Sequence, residues 1–245
     1  MEVVRRMAHR ARRTASPHAL VNALRDEGRN NIIAEFKRRS PSKGEIRGGA
    51  NPASTAKAYE LAGAAAVSVL TEEDYFDGSL DDLRAARQAV SLPVLRKDFI
   101  FEEYQVYESA AAGADALLLI VAALNDETLG RLRRITEDEL GMDALVEVHT
   151  REEMVRAVAS EAHLIGVNNR DLGTFAVSLE TSVELAAFAH DSAVLISESG
   201  IESAEDIHRL RSLGYRGFLI GEALMRADDP CHALEQLTQR RQGTR

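Results

Sequence analysis

Glu35 and Lys37 stand two residues apart in the run Ile32-Ile33-Ala34-Glu35-Phe36-Lys37. Side chains alternate along a strand, so both face the same way as Ile33. A carboxylate and an amine on an apolar face are costly to bury unless they pair or do chemistry. The same parity groups Leu95 with Lys97, Leu145 with Glu147 and His149, and Gly166 with Asn168 and Arg170, while Glu198 and Ser199 close another apolar run. Carboxylates and amines converging on one place are the equipment of general acid–base catalysis. A structural ion pair explains any one of them, but explains the whole set poorly.

The lysines add a second signal. Lys stands only at 37, 43, 57 and 97, against 26 Arg, so this chain writes nearly all its positive charge as Arg. Arg cannot release its proton near neutral pH, whereas a Lys amine titrates and its pKa moves readily when buried. Lys37 and Lys97, at strand ends, are therefore expected to be kept for their amines. Lys57 reads as a solvated surface charge; Lys43 reads equally as that or as part of a loop that meets substrate.

These residues need elements to position them. Short β-rich apolar runs recur at 31–36, 65–71, 93–97, 115–121, 144–149, 163–168, 193–198 and 216–221. Between them lie stretches of helical period at 52–61, 80–90, 102–112, 126–139, 152–159, 179–189 and 204–213. Asn51-Pro52 and Ser203, followed by Glu205 and Asp206, are helix starts, and Gly63, Gly113, Gly141 and Gly214 are helix ends. Eight strands alternating with helices predict one closed (β/α)8 TIM barrel rather than an open sheet. No linker divides the chain, so 1–245 is expected to be a single domain, with a short N-terminal helical extension over 1–30 and the barrel over 31–245. The extension carries a basic amphipathic helix and a second helix at 17–27, expected to pack on the barrel as a lid.

Active sites of this fold lie at the carboxyl ends of the strands. Five strands thus deliver polar or ionisable groups to one mouth. The ends of strands seven and eight, Ser197-Glu198-Ser199-Gly200-Ile201 and Leu219-Ile220-Gly221-Glu222, carry small residues that let backbone N–H groups reach an anion, beside a short helix starting near Glu222. That predicts a phosphate site. The basic, hydroxyl-rich loop 38–44 after strand one reads as a flap over an anionic substrate.

Composition excludes several classes. With 45% hydrophobic and 28% charged residues and a net charge of −9, the 245-residue chain is ordinary globular protein, neither disordered nor a general nucleic-acid binder. The longest apolar run, 116–124, is too short to span a bilayer. A lone Cys231 and the lack of an apolar signal core predict a cytoplasmic protein.

From Asn31 onward the chain resembles the indole-3-glycerol phosphate synthase family. The resemblance rests on Ile32 to Gly44 (IIAEFKRRSPSKG), Ser68-Val69-Leu70-Thr71-Glu72-Glu73, Tyr75-Phe76-Asp77-Gly78-Ser79, Arg96-Lys97-Asp98-Phe99-Ile100, Val146-Glu147-Val148, Gly166 to Leu172 (GVNNRDL), Ser197 to Ile201 and Leu219 to Met225 (LIGEALM), in that order. The chain departs from the family at the front, where the first helix looks shortened.

The resemblance implies a carboxy-lyase of tryptophan biosynthesis, which converts 1-(2-carboxyphenylamino)-1-deoxyribulose 5-phosphate into indole-3-glycerol phosphate, releasing carbon dioxide and water without metal or organic cofactor. It implies Lys97 as the acid at the ketone oxygen during ring closure. Glu147, Glu35 and Lys37 become the candidate base and acid of the dehydration, positioned by Asn168, with the base left open among the carboxylates. For Lys97 to give up a proton, its burial is expected to lower its pKa while the carboxylates keep it protonated. Lys37 and Ser40 are implied to hold substrate anions, Arg170 to steady the substrate, and Phe76 and Phe99 to wall the anthranilate ring. Backbone at Gly200, Gly221 and Glu222, with Glu198 and Leu219 beside it, is implied to hold the phosphate, and Ser199, next to that backbone, is counted with the catalytic residues. A monomer is expected, with other tryptophan-pathway enzymes as partners. The rival readings are another phosphate-binding barrel lyase or aldolase using Lys97, and a non-catalytic partner subunit.

Overall fold

A computed structural model describes residues 1–190 and 192–238. The apolar runs form eight parallel strands among these residues: β1 (Ile32–Phe36), β2 (Ala66–Leu70), β3 (Val94–Lys97), β4 (Ala116–Ile120), β5 (Asp143–Val148), β6 (Leu164–Asn168), β7 (Val194–Glu198) and β8 (Tyr215–Ile220). Each pairs with its neighbours in chain order, and β1 pairs with both β2 and β8, with Ile33 opposite Ala66 on one side and Leu219 on the other. The sheet closes into a barrel.

Alternation then sorts the side chains into two apolar layers. Ile33, Leu95, Leu145, Leu164, Ile196 and Leu219 point inward and fill the barrel. Phe36, Val67, Val69, Leu117, Leu119, Val146, Val148, Val167 and Phe218 point outward and are covered by the surrounding helices. Each fully buried chain of this size contributes about 1.5–3 kcal/mol, so register is strongly specified.

The helices begin where short polar caps satisfy their first N–H groups. Asn51 accepts from Ser54, Ser79 from Asp82, Thr150 from Glu153, and Ser203 forms a reciprocal box with Asp206. The four glycines expected at helix ends, Gly63, Gly113, Gly141 and Gly214, all have left-handed backbones.

The N-terminal extension lies elsewhere than over the mouth. Its first helix, Glu2–Arg12, packs on the helix Glu103–Ala112 and is tied down by Arg5 and His9 to Glu139. The second is shorter than the 17–27 expected from the sequence, spanning Ala19–Ala23. Leu20 and Leu24, both fully buried, join the interior layer at the amino end of the barrel. Asp143, the first residue of β5, accepts hydrogen bonds there from the Leu20 and Val21 N–H groups and contacts His18. The second part of the extension is thus a stopper at the amino end of the barrel. A cavity of about 290 Å³ beside it is lined by Arg12, Arg87 and Asp115, but both guanidiniums are spent on the Asp115 carboxylate.

Three other boundaries differ from the sequence reading. The helix expected at 126–139 is α-helical over Asp126–Arg134 and then widens into a π turn, Ile135–Glu139, where Thr136 bonds back to the Leu132 carbonyl. The helix expected at 179–189 is α-helical only over Glu180–Leu185. A helix that the periodicity did not single out, Pro230–Thr238, follows the short helix Glu222–Arg226.

Candidate active site

At the carboxyl end the inward-facing positions change from apolar to charged. Glu35, Lys97, Glu147 and Glu198 are all at most 9% exposed, directly above the layer of Ile33, Leu95, Leu145 and Ile196. Lys97 Nζ lies 2.9 Å from Glu147 Oε2 and 2.9 Å from Glu198 Oε2. Lys37 Nζ lies 2.8 Å from Glu35 Oε1. Asn168, half-buried at the end of β6, bonds to the Glu147 carboxylate, and its Oδ1 accepts from the Arg170 N–H at 3.0 Å. Lys97, Glu147, Glu198 and Asn168 thus come together as one cluster with the Glu35–Lys37 pair beside it.

Glycine makes the room. A Cβ on Gly166 would overlap Glu198 Oε1, and one on Gly221 would overlap Glu35 Oε1. Neither glycine has a positive φ, so space rather than backbone freedom requires them.

The electrostatics divide the carboxylates. Burial raises the pKa of Glu198, as does neighbouring Glu147, and Lys97 offsets this only in part, so Glu198 is pushed up to about 7. Burial acts the same way on Glu147, but Lys97, His149 and the Asn168 bond outweigh it and hold Glu147 below the usual carboxylate range. For Lys97 itself, burial lowers the pKa, yet Glu147, Glu198 and Glu35 together raise it above the ordinary lysine value. The sequence reading expected a net lowering; three buried carboxylates around one amine reverse the sign.

The remaining expected residues line the rim. Arg38 grips Asp82 through two bonds of 2.7 Å and stacks over the Phe36 ring, anchoring the stem of the 38–44 loop, which folds as a two-residue antiparallel ladder of Arg39 and Ser40 with Gly44 and Glu45. Ser40 is buried in it. Phe76 is half-buried after β2, and Phe99 is exposed after β3, stacked on Phe101. Leu219 sits in the interior apolar layer, in register with Glu198. Ser199 and Gly200 both adopt left-handed backbone, φ 66° and 76°. For a serine that conformation costs about 1–3 kcal/mol and needs support from its surroundings. Support comes from Asn169, a buried neighbour whose Nδ2 donates to the Glu198 and Ser199 carbonyls at 3.0 Å each. Glu222, first residue of the short helix, turns its carboxylate to Arg226 at 3.2 Å, Arg170 at 3.5 Å and Lys43 at 4.0 Å.

Sequence reasoning grouped His149 with Glu147 by parity and quoted Asn169 within the run 166–172, but gave neither a role. Both were visible only as neighbours of residues already singled out. Their partners, Glu153 and Ser182, come from surrounding helices that no strand-parity argument reaches.

Residues 2–237 match the sequence profile of indole-3-glycerol phosphate synthase. The chain belongs to the indole-3-glycerol phosphate synthase family. It is 50% identical over 238 residues to the indole-3-glycerol phosphate synthase of Carboxydothermus hydrogenoformans, an alignment covering 96% of this chain and 90% of that protein. It is also 50% identical over 221 residues to the synthase of Syntrophobacter fumaroxidans, covering 89% and 83%. Among solved structures, the thiamine phosphate pyrophosphorylase of Pyrococcus furiosus superposes with a TM-score of 0.62 over 85% of this chain and 93% of that one. At 16% identity that likeness shows the fold alone. Among the described residues no helix is long and apolar enough to cross a membrane.

Proposed function

We propose that the cluster of Lys97, Glu147 and Glu198, with Glu35–Lys37 and Asn168, carries out the family's reaction: ring closure, decarboxylation and dehydration of 1-(2-carboxyphenylamino)-1-deoxyribulose 5-phosphate to indole-3-glycerol phosphate. The observation that carries this assignment is the Lys97 ammonium held 2.9 Å from two buried carboxylates at the barrel mouth.

In ring closure the aromatic carbon bearing the carboxylate attacks the ketone carbon, and negative charge grows on the ketone oxygen. A fixed, fully protonated Lys97 stabilises that charge as it develops and then supplies the proton. Its raised pKa is no obstacle, because an alkoxide is far more basic than an ammonium. Loss of carbon dioxide restores the aromatic ring. Dehydration needs the opposite partner, a group ionised at neutral pH that takes the ring amine proton. Glu35 is taken up by Lys37, and of the two carboxylates that touch Lys97, Glu147 is held low and Glu198 is held near 7, so Glu147 is the base. Lys37, paired with Glu35, protonates the departing hydroxyl, and Asn168 orients Glu147.

The rim fits the rest of the substrate. Ser199, Gly200, Gly221 and the start of the Glu222–Arg226 helix take the phosphate, with Leu219 packed below. Ser40, Lys37 and Arg170 take the other oxygens, and Phe76 and Phe99 flank the anthranilate ring. The working form proposed is one cytoplasmic domain, monomeric and able to meet other tryptophan-pathway enzymes; sedimentation would test the monomer. Single turnover with the carboxyphenylamino deoxyribulose phosphate, followed by indole fluorescence, tests the function. Fluorescence should rise with parent protein and stay flat with Lys97→Arg. A covalent adduct trapped on Lys97 by borohydride would instead point to a Schiff-base aldolase.

A further inference from the structure

The buried cluster at the mouth does not balance its own charge. Glu35, Glu147 and Glu198 could carry three negative charges, against two positive ones on Lys37 and Lys97. An uncompensated buried charge is expensive, so a further cation or a retained proton is needed.

His149 is placed to supply it. It follows Glu147 by two residues, just past the carboxyl end of β5, and its side chain is 10% exposed. On one side its Nδ1 lies 3.2 Å from Glu153 Oε2, which also accepts from the His149 backbone N–H at 2.7 Å, so one carboxylate fixes both main chain and ring. On the other side its Nε2, buried and making no hydrogen bond of its own, lies 3.4 Å from Glu147 Oε1. A neutral imidazole has one N–H and would turn a lone pair on one of these carboxylates, whereas an imidazolium presents an N–H to each. Glu198 from β7 and Asp171 from the loop after β6 add negative charge near the ring, and the facing cation is Lys97 of β3, on the other oxygen of Glu147.

We propose that His149 is a positioning residue of the reaction: held between Glu153 and Glu147 as an imidazolium, it brings a positive charge to the Glu147 side of the cluster and keeps Glu147 a carboxylate facing Lys97. Burial lowers the pKa of the ring, but the carboxylates prevail and raise it above the ordinary histidine value. The proposal rests on Glu147 being the base. It requires His149 to touch no reacting atom.

The test uses the whole chain and two readouts. Imidazole ¹⁵N NMR, with the signal assigned through His149→Gln, should show the ring protonated at pH 7, and Glu147→Gln should weaken its proton affinity about tenfold, because the facing charge is gone. In the pH profile of kcat/KM, His149→Gln should move the acid limb upward by about one pH unit, since Glu147 now holds its proton more tightly. A merely structural histidine would lower activity equally at all pH values. A ring that is neutral at pH 7, a titration unchanged by Glu147→Gln, or an acid limb that does not move would each overturn the proposal. Uncoupled titration in an active enzyme sinks this inference alone. Coupled titration in a protein that turns over no substrate sinks the functional assignment, and the positioning role with it.

Discussion

Gly221 is the space in which the carboxylate of Glu35 sits. A Cβ built on Gly221 would overlap Glu35 Oε1 and lie 3.0 Å from Glu35 Cβ. The sequence suggests this glycine as a backbone anion contact alone, for which substitution would raise KM. The geometry adds a second consequence, because a side chain here must also displace Glu35 from Lys37. Gly221→Val should therefore lower kcat about tenfold or more as well as raise KM, on a fold unchanged by circular dichroism. A change confined to KM would mean that Glu35 has no part in the chemistry.

Lys97→Arg should be nearly inactive. Arg keeps the charge between Glu147 and Glu198 but cannot give up its proton, so only charge stabilisation survives, and kcat should fall by about 10²–10⁴. Activity within about threefold of the parent would overturn the proton-donor role. Lys97→Met should in addition destabilise the barrel by about 3–5 kcal/mol, since two buried carboxylates lose their partner.

Stability should fall as pH rises through neutrality. Glu198 has a folded pKa near 7, above its value in an unfolded chain, so the folded state binds this proton more tightly. That preference is fully present in acid and is lost as pH rises from about 4 to 7. His149, also raised, contributes stability with the same sign that is lost as pH rises through its folded pKa. Thermal unfolding followed between pH 5.5 and 8.5 should show Tm declining in the parent and declining less steeply in Glu198→Gln. An equal slope in both would show that Glu198 is ionised throughout.

The two ends of the barrel should respond separately. Leu24 is buried at the amino end, far along the strands from Lys97. Leu24→Ala should cost about 2–5 kcal/mol in denaturant unfolding and leave kcat within about twofold. A kcat that fell with stability would show that the stopper transmits to the mouth.

The four lysines should rank by surroundings. Lys57 is half-exposed and pairs with Glu60 one helical turn away, a contact that Arg can keep, so Lys57→Arg should stay within about 0.5 kcal/mol of the parent in unfolding and leave kcat unchanged. Lys37→Arg should lose at least about tenfold in kcat/KM, because a planar fork cannot replace a compact donor beside Glu35. Lys43, exposed and 4.0 Å from Glu222, should fall between them. Equal harmlessness of all these replacements would reduce the scarcity of lysine to codon usage.

What could be read from the chain was whatever depends on period and parity. Two-residue alternation put Glu35, Lys97 and Glu147 on one face, and in the structure Arg96 turns to the other, where it bonds Glu108 and Ser109 of the covering helix. Two caps and four terminal glycines marked six of the fourteen ends of the helices expected around the barrel. What stayed hidden depends on contacts distant in sequence. The net upward shift of Lys97 needs three carboxylates from three strands, and no local pattern counts them. The place of the N-terminal helices turns on Asp143, an ordinary acidic residue in the sequence until it is seen receiving the Leu20 and Val21 N–H groups.

The stopper makes the barrel a cul-de-sac. Leu20 and Leu24 close the amino end, and among the described residues a packed apolar layer fills the interior above them. Substrate must therefore enter by the carboxyl-end mouth, and indole-3-glycerol phosphate, carbon dioxide and water must all leave by it. With one opening for all three products, the order of their departure is set by who stands nearest the door.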